Sequence, residues 1–293
     1  MATNDAPKDT ARDAALVVAC VQMRSSRDPA ANRDAAINGI REAADAGAVY
    51  IQTPEMTSLL VRDRKELFAK AEDQTHDPLI AAAREVAREK RVTVHLGSLP
   101  LLEGDRIANR AIVIDPKGEI AATYDKIHLF DVDLPNGESW RESATYAGGH
   151  QAVTAPLAVG EDTYTLGVSI CYDLRFPYLY RALAEVGAVI LTAPACFTRQ
   201  TGEAHWQVLQ RARAIENGAF MISAAQGGTH DDGRHTWGHS IIVDPWGRVM
   251  AEGGSEPGII LASIDPAMVA QVRAQIPSLR HTQLFSLPDS NES

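Results

Sequence analysis

The sequence has few cysteines, no long apolar run and no cluster of basic residues. Its three cysteines, Cys20, Cys171 and Cys196, stand far apart without a C-x-x-C pair, so neither a disulfide framework nor a zinc ribbon is expected. No apolar stretch approaches the roughly 20 residues that a membrane helix needs. Residues 1–13 are polar and lack the apolar segment of a secretory signal. We therefore expect a cytoplasmic protein without a membrane partner, whose first 13 residues form a disordered lead-in.

The charge balance is acidic. With 28 basic and 38 acidic residues the net charge is −10, and the absence of basic–aromatic interleaving argues against a nucleic-acid partner. A hydrophobic content of 45% and a charged content of 23% are typical of a soluble globular enzyme. Because no repeat or linker interrupts the chain, we predict one domain over residues 14–275 and an extended tail over residues 276–293.

The hydrophobic pattern predicts some ten strands interleaved with four or five helices. An Asp-Pro pair at 77–78, for example, predicts a helix that continues to residue 90, and a second predicted helix runs from about residue 203 to 217. Residues 131–162 and 226–236 are rich in turn-forming and polar residues and are expected to be loops. Since βαβ units and hairpins both occur, the pattern predicts an α/β fold with mixed sheets covered by helices.

The stretch from residue 163 to residue 177 contains the strongest candidate for chemistry. Residues 163–170 are β-branched and apolar enough for a buried strand, and Pro177 suits the first turn of a helix. Cys171 therefore lies where a core strand ends and a helix is about to begin. A thiol there faces backbone N–H groups that favour a thiolate and a developing oxyanion. Alternatively, Cys171 is a buried small hydrophobe, as most free cysteines are, and this stretch alone does not decide between the two.

Two further strand ends carry charged side chains, Glu55 and Lys126. Ligands of α/β sheets gather beyond the carboxyl ends of strands. Singly, Glu55 could be an acidic residue of a first helical turn and Lys126 a solvated loop charge. Together with Cys171, they supply what an acyl transfer through a thioester needs. The carboxylate takes the thiol proton, hands it to departing ammonia and later activates water, while the ammonium favours the thiolate and stabilises the oxyanion.

Several motifs in this order resemble the nitrilase (carbon–nitrogen hydrolase) superfamily. They are Pro54-Glu55 after a strand, Tyr124-Asp-Lys126-Ile-His128-Leu-Phe-Asp131, and Ser169-Ile-Cys171-Tyr-Asp-Leu-Arg175-Phe-Pro177, joined by residues 201–206, 211–217 and 237–247. The resemblance covers roughly residues 15–282. It implies a four-layer α-β-β-α sandwich, the catalytic trio Glu55, Lys126 and Cys171, and no metal or organic cofactor. It also implies that Glu142 positions the lysine and the substrate, and that the protein forms a homodimer or a higher homo-oligomer whose C-terminal tail reaches the partner.

Within the superfamily, the chain is most similar to the branch that holds deaminated glutathione amidase and omega-amidase. Its loop after Glu55 lacks the tyrosine that omega-amidases carry there, and its Arg62-Asp63 pair is closer to the deaminated glutathione amidase pattern. The resemblance thus implies an amidase that releases ammonia from a small carboxamide, with omega-amidase, N-carbamoyl amidase or nitrilase as alternatives. A non-catalytic interaction protein on the same fold is a more remote alternative, because such a protein would be expected to lose part of the trio.

Five further residues are candidates for contact with substrate. The N–H of Tyr172 follows the nucleophile and is a candidate oxyanion donor. Arg175 either pairs with a buried carboxylate, which we favour, or clamps a carboxylate of the substrate. Cys196, Phe197 and Thr198 are expected near the pocket, and we expect Cys196 to pack there rather than react, although relatives mostly have a small non-sulfur residue at that position.

Two rival sites are not favoured. His235 and His239 have the i, i+4 spacing that could hold zinc on a helix, but the intervening Gly238 and the following strand argue against a helix. Ser240 begins like a nucleophile elbow but lacks the closing glycine, and it stands at the start of a strand rather than after one. His128 and His239 are expected to be hydrogen-bonded core histidines rather than bases.

Overall fold

A computed structural model of the chain describes residues 15–135 and 137–286. The predicted lead-in over residues 1–13 lies outside these ranges, as does the last part of the predicted tail. Within the described ranges, no helix has both the length and the apolar character needed to cross a bilayer.

The described residues contain seventeen strands and six α-helices, more than the sequence pattern predicts. The strands are β1 (Leu16–Gln22), β2 (Tyr50–Gln52), β3 (Thr93–Glu103), β4 (Arg106–Ile114), β5 (Ile120–Asp125), β6 (Asp131–Asp133), β7 (Ser139–Arg141), β8 (Tyr146–Ala147), β9 (Val153–Val159), β10 (Asp162–Val168), β11 (Ile190–Thr192), β12 (Phe220–Ser223), β13 (Gly227–Thr229), β14 (His235–Trp237), β15 (Ile241–Val243), β16 (Val249–Glu252) and β17 (Gly258–Ile264). The helices are α1 (Pro29–Asp45), α2 (Arg64–Lys70), α3 (Pro78–Lys90), α4 (Pro177–Glu185), α5 (Arg199–Asn217) and α6 (Ala267–Gln275).

Two large mixed sheets form the centre of the molecule. The first has the order β17-β1-β2-β3-β4-β5. Its strands β1, β2 and β3 are parallel, β17, β4 and β5 pair antiparallel with their neighbours, and β8 pairs parallel with β4. The second has the order β16-β15-β12-β11-β10-β9, with β10, β11 and β12 parallel. The predicted combination of βαβ units and hairpins is confirmed.

The sheets pack face to face between two layers of helices. One apolar cluster joins Val18 and Tyr50 of the first sheet to Leu166 and Phe220 of the second, and it extends to the buried sides of α4 and α5. A separate cluster packs α1 and α3 against the first sheet, for example through Ile40. The resulting order of layers is the four-layer α-β-β-α sandwich that the family resemblance implies.

Two residues that the sequence predicts at helix ends cap those helices in the structure. The Asp77 carboxylate accepts hydrogen bonds from the N–H groups of residues 79 and 80, and Pro78 is the first residue of α3. Gly218 ends α5 in the left-handed conformation, with φ of 51°. However, α5 begins at Arg199, earlier than predicted, because the Thr198 hydroxyl caps it by accepting the N–H of Thr201.

Two predictions of irregular structure are wrong. Residues 131–162 include the hairpin β6–β7 and the strand β9, and the proline within β9 is tolerated because β9 is an edge strand. Residues 226–236 include β13 and the start of β14, which pair with each other. In the described part of the tail there is one 3₁₀ turn, at Ser278–Arg280, and the extended tail stays a prediction.

Candidate active site

The four residues predicted to be catalytic meet in the structure. The Lys126 Nζ lies 2.9 Å from Glu55 Oε1 and 2.9 Å from Glu142 Oε2. Glu55 and Lys126 are buried, and Cys171, which is 8% exposed, lies beside the Glu55 carboxylate. These side chains form the floor of a cavity of about 610 Å³. A small molecule bound in this cavity would contact a potential nucleophile (Cys171), a base (Glu55) and a cation (Lys126).

The fold explains why residues distant in sequence meet here. Glu55 follows β2 and Lys126 follows β5 in the first sheet, whereas Cys171 follows β10 in the second. Glu142 begins a 3₁₀ turn directly after the hairpin β6–β7. The site therefore lies where ends of both sheets converge, as ligand sites of α/β proteins do.

The backbone at Cys171 is strained. Its φ is 48°, in the left-handed region that residues with a Cβ rarely adopt. Its N–H donates to the Pro194 carbonyl at 3.0 Å, and a 3₁₀ turn over Cys171–Arg175 separates β10 from α4. Met56, next to the Glu55 base, has a φ of 58°. Such conformations persist only where their surroundings hold them, and they gather at functional sites.

The electrostatics of the cluster favour a neutral thiol at Cys171 before reaction. Burial and the adjacent Glu55 charge raise the pKa of Cys171 well above its usual value, although Lys126 opposes the shift. Burial raises the pKa of Glu55, but the Lys126 charge and hydrogen bonds from Cys171, Lys126 and Asn109 outweigh it and leave this pKa lowered. Burial lowers the pKa of Lys126, and the charges of Glu142 and Glu55 outweigh it and raise this pKa. A neutral thiol therefore faces an ionised base.

Asn109 is a member of the cluster that the sequence reasoning missed. Its Nδ2 donates to Glu55 Oε1 and to Glu142 Oε1, each at 3.0 Å. It is completely buried within β4. An asparagine on the buried part of a strand was the available signal, since buried polar side chains need partners.

Backbone contacts fix the base from two other sides. The N–H of Cys196 donates to Glu55 Oε2 at 2.8 Å. The buried Gln226 side chain donates to the Glu55 carbonyl at 3.0 Å. Glu142 is fixed in turn by the N–H of Phe130, 2.6 Å from Oε2. The two carboxylates are thus oriented by groups that leave the Cys171 side open.

The walls of the cavity are aromatic and basic. The Arg175 guanidinium lies 5.9 Å from the ring centre of Tyr172 and 5.5 Å from that of Phe197. Those of Arg62 and Arg234 lie 4.6 Å and 5.5 Å from the ring centre of Trp140. Arg234 pairs with an aspartate at 2.6 Å, but neither Arg62 nor Arg175 forms an ion pair within residues 15–135 and 137–286.

The favoured interpretation of Arg175 is therefore wrong. Instead of a buried carboxylate, its partner is His205, whose Nδ1 lies 3.2 Å from the guanidinium. Tyr172, Cys196, Phe197 and Thr198 line the same cavity. Burial and the Glu55 charge raise the pKa of the Cys196 thiol to about 12, which opposes a second nucleophile.

The rival sites do not assemble. Ser240 is completely buried, and its hydroxyl donates to Gln22 and accepts from the Ala225 N–H, so it faces no cavity. No group of three His, Cys, Asp or Glu side chains in the described ranges is arranged to hold a metal ion. His128 contacts Asp173, and His239 lies 3.2 Å from Glu252, so both histidines have carboxylate partners.

Comparison with known proteins agrees with this geometry. A family model described as carbon–nitrogen hydrolase matches residues 17–274. The chain belongs to this family. The deaminated glutathione amidase of Synechocystis sp. is 41% identical over 273 residues, which cover 90% of this chain and 97% of the relative. Members of the family hydrolyse carbon–nitrogen bonds other than peptide bonds, so this chain is such a hydrolase.

Two solved structures resemble the fold. The NitFhit protein of C. elegans has a TM-score of 0.83 and 33% identity over 92% of this chain, which spans 65% of that longer protein. A mutant amidase from Nesterenkonia sp. AN1 has a TM-score of 0.72 and 27% identity, over 89% of this chain and 98% of the amidase. That structure shows the result of Michael addition of acrylamide at the active site cysteine of the amidase.

Proposed function

We propose that the protein is a cysteine-dependent amidase for a substrate that bears carboxylates, with Cys171 as nucleophile, Glu55 as general base and acid, and Lys126 as the oxyanion cation. The observation that carries the proposal is the contact of Lys126 with Glu55 and Glu142 beside the buried Cys171. The reactive cysteine of the Nesterenkonia amidase supports the same role for Cys171.

Acylation begins from the neutral thiol. As the sulfur attacks the amide carbon, its proton passes to Glu55, which is ionised and adjacent. The oxyanion that forms is stabilised by the Lys126 ammonium and by the Tyr172 N–H, which donates to no acceptor among the described residues. Glu55 then returns the proton to the leaving nitrogen, the carbon–nitrogen bond breaks, and a thioester to Cys171 remains.

Deacylation repeats the sequence with water. Glu55 removes a proton from a water molecule as its oxygen attacks the thioester carbon, and Lys126 again stabilises the oxyanion. The carbon–sulfur bond breaks, and the proton held by Glu55 returns to Cys171. Glu142 and Asn109 keep Lys126 and Glu55 in place during acylation and deacylation, because Glu142 pairs with Lys126 and Asn109 donates hydrogen bonds to Glu55 and Glu142.

The cavity wall indicates the substrate class. Arg62 and Arg175 line it, and neither forms an ion pair with a described residue. Guanidinium groups bind carboxylates with two parallel hydrogen bonds. Deaminated glutathione, the substrate in the relative's name, carries two carboxylates and two secondary amides. We propose it as the substrate, so that an amine leaves instead of the ammonia that a primary carboxamide would release. An omega-amidase, N-carbamoyl amidase or nitrilase with the same site is the second candidate.

A substrate panel tests the proposal. Deaminated glutathione, α-ketoglutaramate, N-carbamoyl amino acids and simple nitriles are incubated with the protein, and both primary amine and ammonia are measured. We expect amine from deaminated glutathione at the highest kcat/KM, no turnover by Cys171→Ala, and a folded but largely inactive Cys171→Ser. Unchanged turnover by Cys171→Ala would contradict the mechanism, and ammonia from a different panel member alone would reassign the substrate. A folded wild type that turns over nothing in the panel would favour the non-catalytic alternative.

The role of Glu142 is tested in the same assay. Glu142→Gln removes a charge beside Lys126, and we expect kcat to fall by about 10² because the ammonium loses its orientation. Glu185→Gln is the control, since Glu185 forms an exposed ion pair with Arg181 on α4 and should leave kcat unchanged. Full activity of Glu142→Gln would remove this glutamate from the site.

We further propose a cytoplasmic homodimer or higher homo-oligomer of a single catalytic domain over residues 14–275, with no cofactor and no nucleic-acid or membrane partner. The net charge of −10 and the free cysteines support this setting. Leu284 and Phe285 of the tail are 99% and 87% exposed, and large apolar side chains at the surface favour an interface. Light scattering of the full chain and of a chain ending at residue 275 tests the oligomer; an unchanged mass on truncation would exclude the tail from the interface.

A further inference from the structure

Asp173 is a completely buried carboxylate two residues after the nucleophile. Oδ2 accepts hydrogen bonds from the Tyr124 hydroxyl at 2.6 Å and from the Ile170 N–H at 2.9 Å. Oδ1 lies 3.0 Å from the His128 N–H and 2.6 Å from His128 Nδ1. One carboxylate therefore holds four polar groups, which is an unusual concentration of partners for a side chain outside the cavity.

These four bonds connect two segments of the site. Tyr124 and His128 stand on either side of Lys126, two residues away in each direction, and Ile170 directly precedes Cys171. Burial and the Asp173 charge raise the pKa of Tyr124 far above its usual value, so its hydroxyl stays a donor. Asp173 thus fastens the segment that carries the cation to the turn that carries the nucleophile.

A second layer of contacts joins the same two segments. The His128 ring stacks on Phe176, with ring centres 3.6 Å apart and planes 8° apart. His128 Nε2 hydrogen-bonds the Tyr178 hydroxyl. Phe176 and Tyr178 follow Cys171 in the chain, so His128 contacts the nucleophile segment on both its polar and its apolar side.

We propose that Asp173 is a positioning residue that, through Tyr124 and His128, fixes the Lys126 ammonium relative to the Cys171 sulfur. This inference rests on the proposed amidase reaction. None of Asp173, Tyr124 and His128 lines the cavity, so they act through the two residues that do. The need is physical, because Lys126 and Cys171 belong to different sheets, and an error of about 1 Å in such a geometry can cost about 10² in rate.

The test uses Tyr124→Phe and His128→Asn, which loosen the lysine side and leave the Asp173–Ile170 bond. The control is Tyr50→Phe, since Tyr50 is also buried and its hydroxyl lies 2.8 Å from His95 Nδ1. For each protein, kcat, KM, thermal unfolding and the rate of Cys171 alkylation by iodoacetamide are measured. Alkylation needs the sulfur and its base but forms no oxyanion. It therefore depends on the Lys126 charge only through the pKa values of Cys171 and Glu55, and not on contact between the ammonium and an oxyanion.

We expect kcat to fall at least about tenfold in both variants, with KM and the alkylation rate within about threefold of wild type. Tyr50→Phe should keep the kcat of wild type, even if its Tm falls by as much as the Tm of the two test variants. Equal kcat in Tyr124→Phe and Tyr50→Phe at equal loss of Tm would overturn the inference, as would a parallel fall of kcat and alkylation rate. Absence of wild-type turnover would overturn the proposed function and this inference with it, so the two failures are distinguishable.

Discussion

The Lys126 ammonium lies 2.9 Å from the Glu55 carboxylate, and both side chains are almost completely withdrawn from solvent. Removing two charges from water is costly, and a buried pair persists where each group keeps further partners. Glu142 and Asn109 supply those partners. The consequence for Cys171 is indirect: the pair keeps Glu55 ionised, and the ionised Glu55 keeps the thiol protonated.

Removal of the base should therefore lower the pKa of the nucleophile. In Glu55→Gln the negative charge that raises the pKa of Cys171 is lost, whereas the Lys126 charge that lowers it remains. We expect thiolate absorbance in the ultraviolet to rise at a lower pH than in wild type, while amide turnover is lost. Subtracting Cys171→Ala and Glu55→Gln/Cys171→Ala spectra isolates the Cys171 signal from Cys20 and Cys196. A thiolate that forms at a higher pH than in wild type would contradict this electrostatic account.

A third carboxylate in the cluster should shift the acidic limb of activity. Asn109→Asp replaces the Asn109 Nδ2 donor, which lies 3.0 Å from Glu55 Oε1 and from Glu142 Oε1, with a carboxylate oxygen. Like charges in contact raise the pKa values of carboxylates. Because the ionised form of Glu55 is the active base, the fall of kcat/KM on the acidic side should move to higher pH.

The neutral variant Asn109→Leu is the control for that shift. It removes the same hydrogen bonds without adding charge, so kcat should fall while the acidic limb moves less than in Asn109→Asp. Profiles of kcat/KM against pH for the three proteins make the comparison. An equal displacement in both variants would assign the effect to lost hydrogen bonds rather than to charge.

Arg175 should determine preference for acidic substrates. It stacks on Tyr172 and Phe197 and forms no ion pair in the described residues, so its charge is available to a ligand. In Arg175→Met we expect kcat/KM for a carboxylate-bearing amide to fall by about 10², mainly through KM, since a charge-assisted contact contributes about 1.5–3 kcal/mol. The neutral methyl ester of the same amide should change far less.

Arg181→Met is the matched control for Arg175→Met, because Arg181 pairs with Glu185 on α4 and does not line the cavity. Its kinetic constants should equal those of wild type for both substrates. A similar loss for the acid and its ester in Arg175→Met would show that the arginine supports the cavity wall rather than binding the substrate.

Much of this site was predictable, because the end of a run of apolar residues indicates where a buried strand ends. Glu55, Lys126 and Cys171 each follow a run of apolar residues, and since ligand sites form beyond the carboxyl ends of strands, the sequence predicts that the three lie together. Asn109 was not predictable in this way, since it lies inside a strand and its role depends on what faces it across the fold. That Arg175 meets His205 and no described carboxylate was equally hard to predict, because packing decides whether an arginine meets a carboxylate.

Some elements of the fold are likewise predictable from local sequence, whereas others depend on the strand with which they pair. The Asp77-Pro78 pair predicts where helix α3 begins, and the predicted limits of α3 match the structure. Strand β9 contains a proline, which argues against a strand on local preference. Its pairing with β10 is what makes this segment a strand. Short hairpins such as β13–β14 likewise depend on partners rather than on propensity.

The strained backbone of Cys171 gives a prediction about stability. At a φ of 48° a residue with a Cβ is disfavoured by roughly 1–2 kcal/mol, whereas glycine adopts this region freely. Cys171→Gly should therefore have a free energy of unfolding about 1 kcal/mol above that of Cys171→Ala, after the entropy that glycine loses on folding is subtracted. Ala193→Gly is the control, because Ala193 is buried nearby and does not have a positive φ, so the same exchange there should destabilise. Denaturant unfolding of all four proteins, including wild type, measures the differences, and a Cys171→Gly less stable than Cys171→Ala would show that the left-handed turn carries no strain.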